Sequence, residues 1–294
     1  MSDRKTPLWL WPNLLSLDAP LVAVAWLYMF AQAWQVNYLP WQAYLALGLG
    51  VWVIYVLDRL LDRQVRNPGD PLIGDRHDFH AKYQTAFLVG VVGALASIVA
   101  IVLTVLPVEL LVSYSGPAVG LVIAFFGMVL TSAQSQEVPY MRNLVAGLAF
   151  GYGTAMMAHI YVPTQGMYSL LFSREMLGFA ILCVLNITAI HLWEHSRMSD
   201  DPEQKAADEM TLTFPLLVVA GVSLVFAYQD NPGIFSDGAD GTEHRPFFYA
   251  ILVAAALLQV INRTRSRFSL DAQRTLADGA MIAPLPLFVI FAAG

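Results

Sequence analysis

Tyr55, Asp58 and Asp62 stand at i, i+3 and i+7 in the run VWVIYVLDRLLDR, which closes a long apolar segment. On a helix of 3.6 residues per turn this spacing places all three on one face, so two carboxylates point the same way from one helix end. Carboxylates at membrane depth are costly, and in multi-helix membrane proteins they face the bundle interior. Directly behind them comes RQVRNPGDPLIGDRHDFHAKY, which carries Arg63, Arg66, Arg76, His77, His80 and Lys82. Paired oxygens followed by cations are the parts of a site for Mg²⁺ and a diphosphate. The ion keeps waters and needs few protein oxygens, while the anion is held by guanidinium and ammonium groups. The plainer alternative is a pair of solvated interfacial acids with Arg59 and Arg63 as local partners. Against it, Asp58 is flanked by Val56, Leu57, Leu60 and Leu61.

A second polar cluster closes a later apolar segment, in LNITAIHLWEHSRMSDD. His191, Glu194 and Met198 share a helical face there, with His195 one residue round from it. Glu194 is a third candidate metal oxygen, and its plainer reading is an interfacial acid paired with Arg197 at i+3. His191 and His195 read more simply as hydrogen-bonded interfacial groups than as ligands. His77 and His80 lack a third zinc ligand at a sensible spacing. A short helix capped by Asp75, offering Arg76 and Lys82 to an anion, accounts for them more simply. Arg142 and Asn143 open a further span and are expected to face the same cavity, the alternative being a lone positive anchor. Gly147 and Gly151 make a GxxxG pattern that permits close helix packing. His159 and Asn186, single polar groups within apolar spans, are each expected to bond a neighbouring helix.

The elements that position these groups are apolar helices. The chain has 294 residues, 57% hydrophobic and only 13% charged, with a mean hydropathy of +0.57. That is more apolar surface than a soluble domain buries, which makes it a polytopic membrane protein. The net charge of −6 is no footprint for nucleic acid. A single cysteine, Cys183, excludes a disulfide within the chain. With about 20 apolar residues per spanning helix, nine segments emerge, near 20–38, 43–62, 84–106, 109–131, 143–162, 176–194, 211–228, 246–262 and 275–293. The residues ahead of the first lack the pattern of a cleavable signal, so that span is expected to be kept.

Alternate connections then divide the basic residues sharply: 14 of the 16 Lys and Arg fall on one side, with only Arg174 and Arg245 on the other. By the positive-inside rule the N-terminus is cytoplasmic and the C-terminus external. Asp58, Asp62 and Glu194 then meet at the cytoplasmic ends of the second and sixth helices. The whole chain, 1–294, reads as one integral membrane domain. The stretches 63–83 and 195–210 are expected as cytoplasmic loops capping the site.

This combination resembles the UbiA superfamily of intramembrane prenyltransferases, to which 4-hydroxybenzoate polyprenyltransferase belongs. Tyr55-Val-Leu-Asp58-Arg-Leu-Leu-Asp62 matches the family's (N/D)xxDxxxD motif in its last two acids. In the second motif, of DxxDxxxD type, His191, Glu194 and Met198 occupy the acidic positions, so only Glu194 keeps an acid. The stretch from Arg142 to Gly151 resembles the opening of the family's fifth helix, with its basic residues reduced to Arg142. The resemblance implies an all-α bundle of nine spans around a central cavity, in a cell membrane. It implies Mg²⁺ held by Asp58, Asp62 and Glu194, and an isoprenyl diphosphate bound by Arg66, Arg76, Lys82 and Arg142. The cavity would be lined by Tyr55, Asn143, His191 and Trp193, with Tyr55 and Trp193 beside an allylic cation. The implied reaction transfers the prenyl group to an aromatic or other lipophilic acceptor. The missing acids of the second motif leave a terpenoid cyclase and a non-catalytic lipid- or partner-binding relative as alternatives. A secondary transporter is disfavoured, because the polar groups sit at helix ends and not at mid-span breaks.

Overall fold

The computed structural model describes residues 7–65, 75–131, 138–163, 166–229 and 244–292, with backbone alone for 62–65 and 75–78. Every element among them is helical: α1 (Trp11–Leu14), α2 (Asp18–Ala33), α3 (Trp41–Val65), α4 (Asp75–Lys82), α5 (Gln84–Thr104), α6 (Val108–Thr131), α7 (Tyr140–His159), α8 (Met167–Leu171), α9 (Arg174–Met198), α10 (Pro202–Gln229), α11 (Arg245–Thr264), α12 (Leu270–Ile282) and α13 (Pro284–Ala292). Each of the nine apolar segments therefore contains helix over most of its described residues. Seven spans are long and apolar enough to cross a membrane, with α12 and α13 counted as one from Leu270 to Ala292, which makes the chain a membrane protein. The other two segments are α2 and α7. α2 passes only together with the 83° bend that joins it to Leu8–Leu14. α7 falls short because Arg142, Asn143, His159 and three glycines dilute its apolar side chains.

The expected cytoplasmic cap at 195–210 is not a loop. α9 runs on to Met198, and α10 already begins at Pro202. Pro202 suits a first helical position, where its missing N–H costs nothing, and the Asp201 carboxylate accepts from the Glu203 N–H at 2.9 Å. Within 63–83, helix α4 occupies Asp75–Lys82, as the reading of RHDFHAK as a short loop helix requires. The capping side chain of Asp75 and the side chain of His77 lie outside the described residues.

The core gathers around α2, which buries twelve of its sixteen residues against α3, α7, α11 and α12. Trp26 stacks on Phe179 of α9 with ring centroids 4.3 Å apart and meets Phe247 of α11 edge-on at 5.4 Å. Its indole N–H donates to the carbonyl of Met281 at 2.9 Å, so the apolar body has its polar edge satisfied. α7 and α9 pack closely along the GxxxG face. A Cβ on Gly151 would lie 2.6 Å from the Cβ of Ala180, and one on Gly147 would lie 2.5 Å from the backbone nitrogen of Val184. This bears out the packing role of the two glycines. By contrast α5 and α6, consecutive in the chain, make almost no contact with each other. α5 packs on α3, and α6 on α7.

Gly151→Ala and Gly147→Ala are expected to lower stability by about 1–3 kcal/mol each, because helix backbone and not a side-chain tip must shift. Gly153→Ala, with nothing within 4 Å of its Cβ, is expected to be near neutral or slightly stabilising. Thermal unfolding midpoints in detergent check the contrast.

Candidate active site

A cavity of about 380 Å³ lies between α2, α3, α5, α6, α7, α9 and α12. α3 contributes one helical stripe to it, Leu47, Val51, Ile54, Tyr55 and Asp58, and α9 another, Ile187, Ile190, His191 and Glu194. Hydrocarbon from Val102, Leu106, Leu111, Val122, Met156 and Met157 covers much of the remaining wall. Four carboxyl groups, Asp18, Asp58, Glu194 and Asp278, and three guanidinium groups, Arg59, Arg142 and Arg274, also line it among the described residues. They come from helix ends that the basic-residue count assigns to the cytoplasmic side.

The charges are organised in three sets. In the first, Arg142 Nη2 stands 3.7 Å from Asp58 Oδ1, and its guanidinium lies over the Phe125 ring at 5.8 Å. In the second, Glu194 Oε1 accepts two bonds from Arg274, from Nε at 3.0 Å and from Nη2 at 2.5 Å, while Nη1 holds Asp271 at 3.1 Å. Both Glu194 and Arg274 are buried. Charge-assisted pairs of this kind are strong, and they are needed where water is excluded.

The third set is built on the bend between α1 and α2. Asp18 accepts from the Asn13 amide at 2.6 Å and from the Ala19 N–H at 3.1 Å, and its carboxyl lies within hydrogen-bond reach of that of Asp278. Asp278 in turn accepts from Asn186 Nδ2 at 3.3 Å. The bend itself needs support, since Ser16 adopts a left-handed φ of 57° that non-glycine residues seldom take. Arg59 of α3 supplies it by donating to the Asn13 carbonyl and, at 2.8 Å, to Ser16 Oγ. Trp52 donates to the Leu15 carbonyl at 2.9 Å. His80 of α4 meets Ser16 Oγ at 3.0 Å and stacks on Phe87 at 4.1 Å. His80 thus ties the loop helix to the bend.

Of the residues expected from sequence, Tyr55, Asp58, Arg142, Asn143, His191 and Glu194 all reach this one cavity. Trp193 does not. It lies about 200° round α9 from His191, is buried away from the cavity, and donates its indole N–H to Asn262 Oδ1 at 3.0 Å. Lys82 does not either. It is exposed, 5.3 Å above the Tyr83 ring, because α4 turns His80 inward and a residue two further on must face out. The side chains of Asp62 and Arg76, and Arg66 altogether, lie outside the described residues.

No family model, no curated protein and no solved structure matches this chain. Its chemistry therefore rests on its own residues. Among the described residues no group of three His, Cys, Asp or Glu side chains is placed to hold a metal ion. With Glu194 engaged by Arg274, the described residues do not by themselves make a magnesium site from the expected carboxylates.

Sequence reading missed Asp18, Asp278 and Arg274 as cavity groups. Arg59 appeared only as a local partner, and Asn186 only as a helix-bonding amide. Asp278 carried a usable signal, a carboxylate within the last apolar segment. Asp18 sits at the start of the first and is easily taken for an interfacial acid. His159 and Asn186 do bond neighbouring helices, through Tyr114 at 2.9 Å and Asp278. His195 pairs with Asp208 of α10 at 2.9 Å.

Arg274→Ala strands Glu194 inside the protein and is expected to cost about 3–5 kcal/mol. Glu194→Leu combined with Arg274→Met is expected to recover most of that loss, because both charges leave together. Unfolding midpoints of the two variants decide it.

Proposed function

We propose that this protein is an integral membrane transferase that binds an isoprenyl diphosphate in the cavity and passes the prenyl group to a lipophilic acceptor. The observation that supports this most is the two-ended character of the chamber. One end gathers Arg142, Arg59 and Arg274 with carboxylates, and the rest is hydrocarbon from α5, α6 and α7. A ligand with an anionic head and an apolar tail has that distribution, whereas a small polar solute has not. In this reading the tail enters from the lipid between α5 and α6, which both line the chamber and pack mainly on other helices. In this reading all nine helical segments cross the membrane, with the N-terminus cytoplasmic and the polar end of the cavity beneath the inner leaflet.

The reaction asks little covalent work of the chain. The C–O bond to the diphosphate breaks with its electron pair leaving on oxygen, a new bond forms to the acceptor, and the acceptor gives up a proton. Arg142 lines the polar end of the cavity 3.7 Å from Asp58, where in this reading it receives developing negative charge. Tyr55 offers an aromatic wall at the same end. Magnesium belongs to this reading as the cofactor that would screen the departing diphosphate.

Purified protein supplied with labelled farnesyl or geranylgeranyl diphosphate, Mg²⁺ and a panel of aromatic acceptors is expected to release diphosphate. Arg142→Gln and Asp58→Asn are expected to reduce that release about a hundredfold. Release by the wild type no faster than by Asp58→Asn, across chain lengths and acceptors, removes the proposal. Mg²⁺-independent binding of the tail without turnover would identify a lipid-binding protein instead.

A further inference from the structure

Asn13, Asp18, Asp278 and Asn186 form one row, amide to carboxyl to carboxyl to amide, contributed by α1, α2, α12 and α9 in turn, with each amide donating to its carboxylate and the two carboxyls within hydrogen-bond reach. All four line the cavity. None was among the residues expected to hold the metal or the diphosphate, and the row has features that a merely structural network would lack.

The two carboxyl groups are in hydrogen-bond contact, and like charges so close need a positive charge between them, either a shared proton or a cation. Arg59 supplies little of it. Its Nη2 is 3.9 Å from Asp18 Oδ2, and its Nη1 is engaged by the Asn13 carbonyl and Ser16. The two amides at the ends of the row are the second feature. Asn13 and Asn186 are 2% and 8% exposed, yet the Oδ1 of each is buried and accepts no hydrogen bond. An orphan acceptor in such a place costs about 1–3 kcal/mol. A half-turn of each amide exchanges Nδ2 for Oδ1 in nearly the same space. That turn would bring both amide oxygens beside the carboxylates they now donate to.

We infer that Asp18 and Asp278, with the amide oxygens of Asn13 and Asn186, form a binding site for a hard divalent cation such as Mg²⁺ at the polar end of the cavity. The donor set is all oxygen, with two carboxylates, which is the chemistry of Mg²⁺ or Mn²⁺ and not of zinc or copper. Such an ion keeps waters or takes phosphate oxygens on its open side, and here that side is the cavity. The site differs from the expected trio in that Glu194 already neutralises Arg274, whereas Asp18 and Asp278 face each other. It rests on the proposed function only in that the open side of the ion faces the space assigned to the diphosphate.

Mn²⁺ titrated into the purified full chain in detergent, without isoprenoid, tests this, with free Mn²⁺ counted by paramagnetic resonance. The wild type is expected to bind Mn²⁺, with affinity falling about tenfold or more in Asp278→Asn and in Asn186→Leu. Asp58→Asn is expected to bind close to the wild-type value. An unfolding midpoint of each variant, measured without Mn²⁺, separates loss of the site from loss of the fold. The inference is overturned if the wild type binds no Mn²⁺, which leaves a shared proton only. It is equally overturned if folded Asp278→Asn and Asn186→Leu bind as the wild type does, or if Asp58→Asn loses as much as they do. A separate titration with a non-hydrolysable isoprenyl diphosphate analogue keeps the two readings apart. Mn²⁺ bound through Asp278 with no affinity for the analogue removes the prenyl reading alone, and analogue bound with Mn²⁺ indifferent to Asp278 removes the cation site alone.

Discussion

Guanidinium groups held against carboxylates inside a hydrocarbon chamber are the constraint on which the rest of this molecule depends. Two pairs join helices far apart in the chain, Arg142 of α7 to Asp58 of α3 and Arg274 of α12 to Glu194 of α9, and Arg59 of α3 reaches the bend between α1 and α2. An unpaired charge at such a position carries a desolvation cost of several kcal/mol, so the helix ends that bear these groups have to converge. Apolar packing between helices sets how closely they approach. The charges specify which ends come together, because hydrocarbon surfaces alone carry no such distinction.

That convergence fixes the shape of the cavity. The helices around the buried α2 are held tightly where Trp26, Phe179 and Phe247 interlock and where Gly147 and Gly151 let α7 close on α9. On the opposite flank α5 and α6 face outward over most of their length. They close the chamber only by their inner edges, among them Val102, Leu106, Leu111 and Val122. The result is a polar end cross-linked by ion pairs and hydrogen bonds and an apolar end walled by outward-facing helices. A chamber of this kind suits a ligand whose head must be placed accurately and whose tail need only be kept from water.

The bend at Ser16 shows how much of the polar end depends on distant support. A left-handed serine, an unpartnered Leu15 carbonyl and a buried carboxylate would be unfavourable together in an isolated segment. Arg59, Trp52 and His80 reach in from α3 and α4 to satisfy them. The polar loop after α3 therefore contributes a structural histidine through α4, and its exposed Lys82 points elsewhere. His80 and Lys82 are two residues apart on one helix, and their opposite fates follow from that spacing.

Hydrophobic run length by itself determined that this chain is a bundle of apolar helices and roughly where they lie, because a spanning segment must be apolar along its length and that property is local; the early start of α10 at Pro202 and the break between α12 and α13 were not legible in it. Helical periodicity likewise determined that Tyr55 shares a face with Asp58, and His191 with Glu194, since a shared face follows from spacing alone. Partner choice was decided only by the tertiary structure. That Glu194 meets Arg274, that Asp18 meets Asp278, and that Trp193 turns to Asn262 depend on rotations of whole helices about their axes. Those rotations are set by the summed packing of every neighbour, and no short stretch of sequence contains that sum.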